Sequence, residues 1–228
     1  MKKLIKLLVC LVLALSMIGC RNNNDVGRTE MVQKSFPEIA DVLRDCGIKG
    51  ITDDMISQFE NRFDTIPDEI ILDRTAALLT ELGSGKMNYE TMEWTPSNNG
   101  VYSFDMEAFD LSKMYTNFLL GIQSLDSDEI QISDIVEDDT EADWDNGTGK
   151  IKVSFVFNGS SYSVNAQLRN DWFDLDFANA IGDIIVKDNK RLWFTTDGYQ
   201  ECIVFFGDEN WARRFSEQTG LELVRAFE

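Results

Sequence analysis

The sequence contains no histidine and very little cysteine. Of its 228 residues, none is histidine and four are cysteine, and only Cys46 and Cys202 lie beyond residue 20. The lack of histidine excludes the Ser-His-Asp and Cys-His catalytic arrangements and every zinc site with an imidazole ligand. Two cysteines are too few for a disulfide framework or a cysteine-only metal site. We therefore expect no resident metal ion and no cofactor.

Positive charge is also scarce. The chain has 21 Lys and Arg residues against 40 Asp and Glu residues, which gives a formal net charge of −19. So acidic a surface repels phosphate backbones and anionic lipid headgroups, and nucleic acid is therefore not expected as a partner. Basic proteins, cations and neutral ligands are compatible with this charge.

The chain begins with a short basic segment followed by a short apolar one. Three lysines lie within the first six residues, and the apolar run Leu7–Ile18 is too short for a comfortable membrane span. The run closes in Leu15–Cys20, where the small Gly19 directly precedes Cys20. This pattern resembles the lipobox signal of bacterial lipoproteins, with Met17 where leucine is commoner. The resemblance covers the first twenty residues and does not extend to the rest of the chain.

The resemblance implies where the protein resides. Residues 1–19 would be removed as a signal peptide, and Cys20 would be diacylated with chains such as palmitate, which is enough for stable anchoring. The protein would then be exported and held at the outer face of the bacterial cytoplasmic membrane, or at an outer membrane. Residues 20–34 are polar and read as a flexible tether. A signal peptide cut elsewhere and an uncleaved anchor are the alternatives.

Residues 35–95 are predicted to be mainly helical. Apolar residues spaced three and four apart indicate a first helix over Ser35–Asp45, and Thr52 is well placed to cap a second. A third helix is predicted from near Pro67 to Leu82. Ser84–Asn99 is predicted to be a loop.

The period then changes from helical to alternating. A half-buried strand is predicted at Tyr102–Ala108, followed by an amphipathic helix that Asp110 would cap. The segment Ile151–Leu168 alternates on both sides of Asn158-Gly159, which predicts a hairpin with a type I′ turn.

The remaining chain repeats the order of hairpin and helix. We predict a helix over Asp174–Lys187, a hairpin turning at Asp197-Gly198, a helix capped by Asp208 and an edge strand at Leu221–Phe227. Because Cys202–Phe206 is continuously apolar, that strand should be central and covered on both faces.

Together these elements predict the α+β class. A helical N-terminal part is followed by an antiparallel sheet that is built from two hairpin-helix units and an edge strand. The chain divides into parts at 35–95 and 98–228, or forms one continuous domain over 35–228.

Two acidic clusters suggest chemistry, and each has a simpler interpretation. Asp126–Asp145 holds ten acids, which suggests a calcium site or, more simply, a solvated connector between Ile135 and Ile151. Asp171, Asp174 and Asp176 flank Trp172, as the carboxylates of a glycosidase would. The same three acids suit a helix N-terminus, and we prefer this second interpretation.

The two cysteines beyond the signal both lie at apolar positions. The export route would permit a disulfide between Cys46 and Cys202. Two buried, unpaired thiols are the simpler interpretation.

A ligand site is predicted near the second hairpin turn. With Asp197-Gly198 as a two-residue turn, Thr196 pairs with Tyr199, and Glu201 falls among apolar residues on one face. Burying an unpaired carboxylate is costly, so this face should open to solvent with Tyr199 and Glu201 at its rim. The alternatives are that Glu201 lies at the exposed end of the sheet or pairs with a lysine or arginine.

From the sequence we expect a non-catalytic binding or interaction module with a protein or cell-wall ligand, held at the membrane by its lipid. Two other functions are compatible with the same residues. One is a carboxylate-dependent hydrolase acting on cell-wall glycans. The other is a membrane-tethered immunity protein that neutralises a basic toxin.

The lipid anchor is directly testable at Cys20. Cys20→Ser should release the protein from membranes or leave it unprocessed, because the acyl chains need the thiol. Membrane fractionation and labelling with a palmitate analogue would measure this. A mature N-terminus at any residue other than Cys20 would contradict the prediction.

Overall fold

A computed structural model describes residues 34–66, 73–107 and 113–227 of the chain. The predicted signal, Cys20 and almost all of the predicted tether lie outside the described residues, as do Pro67, Ala108 and Asp110. Within the described ranges, no helix is both long and apolar enough to cross a membrane.

Six helices and nine strands make up the described part of the chain. The helices are α1 (Phe36–Asp45), α2 (Asp53–Phe63), α3 (Arg74–Gly83), α4 (Met114–Leu125), α5 (Leu175–Ile184) and α6 (Glu209–Thr219). The strands are β1 (Lys86–Asn88), β2 (Glu93–Thr95), β3 (Tyr102–Asp105), β4 (Ile132–Asp143), β5 (Thr148–Phe157), β6 (Ser160–Gln167), β7 (Val186–Lys187), β8 (Lys190–Thr196) and β9 (Glu201–Asp208).

The α+β class is confirmed, with a helical N-terminal part followed by antiparallel strands. The strands form a β1–β2 ribbon, a four-stranded sheet in the order β3-β9-β8-β7 and a three-stranded sheet in the order β4-β5-β6. The two predicted hairpins therefore lie in different sheets, β5–β6 in one and β8–β9 in the other. Alternation within each hairpin predicts its own pairing, but carries no information about which hairpins share a sheet.

The four-stranded sheet is covered on both faces, as the apolar run Cys202–Phe206 predicts. Ile203 and Phe205 pack into one core with residues of α1, α2, α3 and α6. Val204 packs into the other core with residues of α4, α5 and the three-stranded sheet. Strand β9 therefore lies between two apolar layers, and all of its residues from Cys202 to Phe205 are fully buried.

Side-chain caps set the starts of most helices. Thr52 caps α2 as predicted, accepting the Met55 N–H at 3.2 Å. The third helix does not begin near Pro67, because Asp73 is extended and caps α3 by accepting the Ala76 N–H at 2.9 Å. Asp208 caps α6 as predicted.

The prediction of a loop over Ser84–Asn99 is wrong, since this segment contains the β1–β2 ribbon. Trp94 anchors the ribbon to the domain. Its indole N–H donates to the Ser84 carbonyl at 2.8 Å, and its ring lies 5.8 Å from that of Tyr102. Strands of three residues are too short for alternation to reveal them.

The acidic segment is not a loose connector. Most of it forms β4, which pairs with β5 and places Asp138 opposite Lys152 and Glu141 opposite Lys150. Opposite charges across a strand pair favour this arrangement. The predicted connector between Ile135 and Ile151 is therefore wrong over most of its length.

The C-terminal segment does not form the predicted edge strand. Leu221–Phe227 forms no continuous edge strand and joins the sheet through one bridge, in which Phe194 and Val224 exchange hydrogen bonds of 2.8 and 2.9 Å.

Cys46 and Cys202 are both free thiols. Cys202 is buried, whereas Cys46 is only partly buried and lies 3.2 Å from Oε1 of Gln218.

The Asn158-Gly159 turn is confirmed as a two-residue connection between Phe157 and Ser160. Asn158 has φ of +46° and Gly159 has φ of +82°, the positive pair that a type I′ turn needs. The Asn158 side chain also accepts the Gln131 N–H at 3.1 Å, which ties the turn to the start of β4.

Gly159→Val should destabilise the protein by about 1 kcal/mol or more, because a β-branched residue is strained at this φ. A Cβ at Gly159 meets no atom within 4 Å, so backbone strain alone should act. Chemical denaturation would measure the loss. Ser161→Val is the control, since it adds the same side chain at an exposed position of β6. Equal midpoints for the two variants would contradict the prediction.

Candidate ligand-binding site

The β8–β9 turn is longer than its Asp-Gly sequence predicts. Thr196 pairs with Cys202 instead of Tyr199, and the Asp197 N–H donates to the Glu201 carbonyl at 3.1 Å. The Asp197 side chain accepts the N–H groups of Tyr199 and Glu201 at 2.8 and 3.2 Å. An aspartate that binds backbone groups in this way stabilises a wider turn than the two-residue type.

The change of register by three residues moves Glu201 to different neighbours. An odd shift exchanges the faces of paired residues, so Glu201 does not share a face with Leu192 and Phe194 as predicted. It lies on the face of Trp193, toward the N-terminal helices. The face of the sheet that was predicted for Glu201 is therefore wrong. Glu201 nevertheless lines a cavity.

Glu201 lies directly opposite Asp105 of β3 in the sheet. Strand β3 is at the edge of this sheet. The Met106 N–H donates to the Gln200 carbonyl at 2.9 Å, and the alternation of an antiparallel ladder then directs the backbone groups of Asp105 away from β9. A carboxylate pair therefore spans β9 and the edge strand.

A cavity of about 280 Å³ lies at this edge. Its apolar lining comes from four aromatic and two sulfur-containing side chains, Trp94, Tyr102, Phe104, Phe173, Met87 and Met114. Its polar lining is Ser84, Ser103, Asn117, Asp105 and Glu201. The ribbon, the edge strand, α4 and the segment before α5 each supply part of the wall.

The aromatic rings form one connected group on the opposite face of the sheet from the two carboxylates, so the cavity passes around the edge strand β3. Tyr102 stacks on Phe104 with a centroid distance of 5.5 Å, and Phe104 lies 4.8 Å from Phe173. The ring of Tyr102 rests on Gly121 of α4, where a Cβ would overlap with it. Glycine at this position therefore lets the helix approach the sheet.

The carboxylates at the cavity are electrostatically unusual. Burial raises the pKa of Glu201 to about 7, and the negative charges of Asp105 and Asp197 add to that effect. Burial likewise raises the pKa of Asp105. Among the described residues, no lysine or arginine lies within ion-pair distance of either carboxylate, so the site concentrates uncompensated negative charge.

The sequence identified only part of this site. Glu201 lines the cavity, whereas Tyr199 is 61% exposed in the turn and is not among the lining residues. Asp105 belongs to the predicted strand Tyr102–Ala108, but its pairing with Glu201 is a contact between distant segments. Trp94 belongs to a segment predicted to be a loop.

Two of the three acids around Trp172, Asp174 and Asp176, have structural roles. Asp174 is 1% exposed and caps α5, accepting the N–H groups of Asp176 and Gln167 at 3.3 and 2.7 Å. Arg169 lies 3.4 Å from Asp174 and 3.3 Å from Asp176. The helix-start interpretation accounts for these contacts.

In the parts of the chain that the structure covers, no group of three or more acidic or cysteine side chains could hold a metal ion. This includes the acidic strand β4. Its carboxylates are spread along an extended, solvent-facing edge, whereas a calcium site needs six to eight oxygens around one point.

The ionisation of Glu201 predicts a specific pH dependence of stability. The raised pKa means that the folded state keeps a proton between about pH 4.5 and 7 that the unfolded state has lost. Stability should therefore fall as pH rises through this window, by at most about 3 kcal/mol. Glu201→Gln should flatten this fall, and Glu60→Gln, which changes an exposed acid on α2, should retain it. Denaturation across pH would measure both slopes, and identical slopes would contradict the prediction.

Comparisons with known proteins add no information about this site. No protein-family model matches the chain, and no significant match was found among curated proteins or solved structures.

Proposed function

We propose that the protein is an exported, lipid-anchored binding protein whose folded domain holds a small ligand in the cavity beside Glu201. The observation that carries this proposal is the cavity itself. An apolar, largely aromatic wall lines one side of it, and a few polar groups come from separate elements of the fold. This combination is typical of small-molecule sites.

The size of the cavity limits the ligand. A volume of about 280 Å³ is just below the range of roughly 300–1,000 Å³ that such sites usually occupy. It suits a compact ligand, or one end of a larger ligand such as a cell-wall fragment or a protein side chain. The rest of a larger ligand would extend past the edge strand.

The N-terminal signal supports the location in this proposal. Acylation of Cys20 supplies the membrane attachment that an acidic surface cannot supply, because anionic lipid headgroups repel it. The polar residues between Cys20 and the first helix would then place the domain on the outer side of the bilayer.

Binding is preferred over hydrolysis of glycans because of how the candidate carboxylates are used. The hydrolase alternative depended on Asp171, Asp174 and Asp176. Asp174 is buried as a helix cap, and Arg169 is engaged with both Asp174 and Asp176. A glycosidase needs two carboxylates that are free to face the sugar.

A fragment screen by NMR would test whether the cavity binds ligands. Asn117→Phe should abolish binding by filling the cavity, and it should leave folding intact because Asn117 makes no side-chain hydrogen bond within the described residues. Asn61→Phe makes the same change on the exposed face of α2 and should bind like the unmodified protein.

The signal to follow is the indole N–H of Trp94, which lies in the cavity wall. Fragments that shift this resonance in the unmodified protein and in Asn61→Phe, but not in Asn117→Phe, would support the proposal. A screen without such fragments, or fragments that bind all three proteins equally, would overturn it.

A further inference from the structure

The chemistry of the cavity lining points to the class of ligand. We infer that the cavity binds a small organic cation, with its ammonium group placed against Glu201 and Asp105 and its apolar body against the aromatic rings. This inference rests on the proposed function, and specifies the ligand of that same site.

Negative charge is concentrated at one side of the cavity. Glu201 and Asp105 are neighbours on the adjacent strands β9 and β3, with their side chains on the same face, and Asp197 lies in the adjacent turn. Like charges in a half-buried position raise the energy of the ionised form, and a cation placed between them relieves that repulsion. Within the described residues, no side chain of the protein supplies the cation.

The aromatic wall lies at the other side of the cavity. Trp94, Tyr102, Phe104 and Phe173 all line the cavity, together with the polarisable thioethers of Met87 and Met114. Because these side chains lie on the face of the sheet away from the carboxylates, they suit the apolar part of the ligand. A site for a neutral apolar ligand would not need the carboxylates.

An anionic ligand fits the lining less well than a cation. The hydroxyl groups of Ser84 and Ser103 donate to the carbonyls of Glu81 and Thr80 at 3.2 and 2.8 Å. The indole of Trp94 donates to the Ser84 carbonyl. These three lining donors are therefore engaged, and an anionic ligand would be repelled by the two carboxylates.

An inorganic cation fits less well than an organic one. No metal-holding group of three acidic side chains occurs in the described ranges. A calcium ion needs six to eight oxygens, whereas this cavity offers two carboxylates among aromatic rings. Only an organic cation has an apolar part that would contact the apolar side chains of the wall.

Binding should also depend on pH in a definite direction. At low pH Glu201 is protonated and neutral, and its pKa of about 7 means that it ionises near neutrality. Its charged neighbours are Asp105 and Asp197, and the nearby Tyr102 and Cys202, whose side chains lie on the other face of the sheet, have raised pKa values and stay neutral there. Affinity for a permanent cation should therefore rise between about pH 6 and 8.

Choline and its uncharged isostere, in which a tert-butyl group replaces trimethylammonium, provide the test. Titration calorimetry and tryptophan fluorescence at about pH 8 should show choline binding at least about tenfold more tightly than the alcohol. Glu201→Gln should weaken choline binding by about tenfold and leave the alcohol unaffected. Glu60→Gln removes an equal charge from exposed α2 and should change neither.

Each other outcome overturns the inference. Equal binding of choline and the alcohol to the unmodified protein would show a site for neutral ligands, and this comparison does not depend on any variant folding. Choline affinity that is unchanged in Glu201→Gln, or that does not rise with pH, would also overturn it. If neither probe binds but the screen finds fragments that Asn117→Phe excludes, the cation inference fails and the proposed function stands.

Discussion

Two hydrogen bonds accepted by the Asp197 side chain determine where the protein places its unusual carboxylate. They hold the N–H groups of Tyr199 and Glu201 and so fix a wider turn between β8 and β9. Because side chains alternate along a strand, a turn of the predicted length would send Glu201 to the opposite face. In the observed register Glu201 lies opposite Asp105, and a local turn interaction thereby sets the composition of the cavity.

The second constraint is that β9 is buried on both faces. Residues Cys202–Phe205 are fully enclosed between two apolar layers, so only the ends of this strand can carry a polar group. Glu201 occupies one such end. It lies beside the edge strand β3 and lines the same cavity as residues of the β1–β2 ribbon. The half-buried position explains both its raised pKa and its access to a cavity, because the layers that desolvate it do not close over it.

Several local patterns in the sequence predicted local structure, although the two-residue turn at Asp197-Gly198 was wrong. The Asn158-Gly159 hairpin, the caps at Thr52 and Asp208 and the two-sided burial of β9 all follow from neighbouring residues and are confirmed. Pairing between distant segments was not predictable, because alternation fixes which side chains share a face and not which strands meet. The pairing of Asp105 with Glu201 and the position of Trp94 are of this second kind, and they make up much of the candidate site.

A comparison of two acids shows why one is structural and the other suggests a ligand. Asp174 is almost completely buried, yet two backbone N–H groups and Arg169 satisfy its carboxylate. Glu201 is less buried, but its carboxylate has no hydrogen bond or ion pair among the described residues, and its neighbours are acids. Natural chains keep such locally unfavourable groups mainly where function requires them. The two acids differ in whether hydrogen bonds and ion pairs satisfy the carboxylate, and this difference matters more than how deeply each is buried. The unsatisfied Glu201 therefore indicates a ligand site at the cavity, whereas the more buried Asp174 does not.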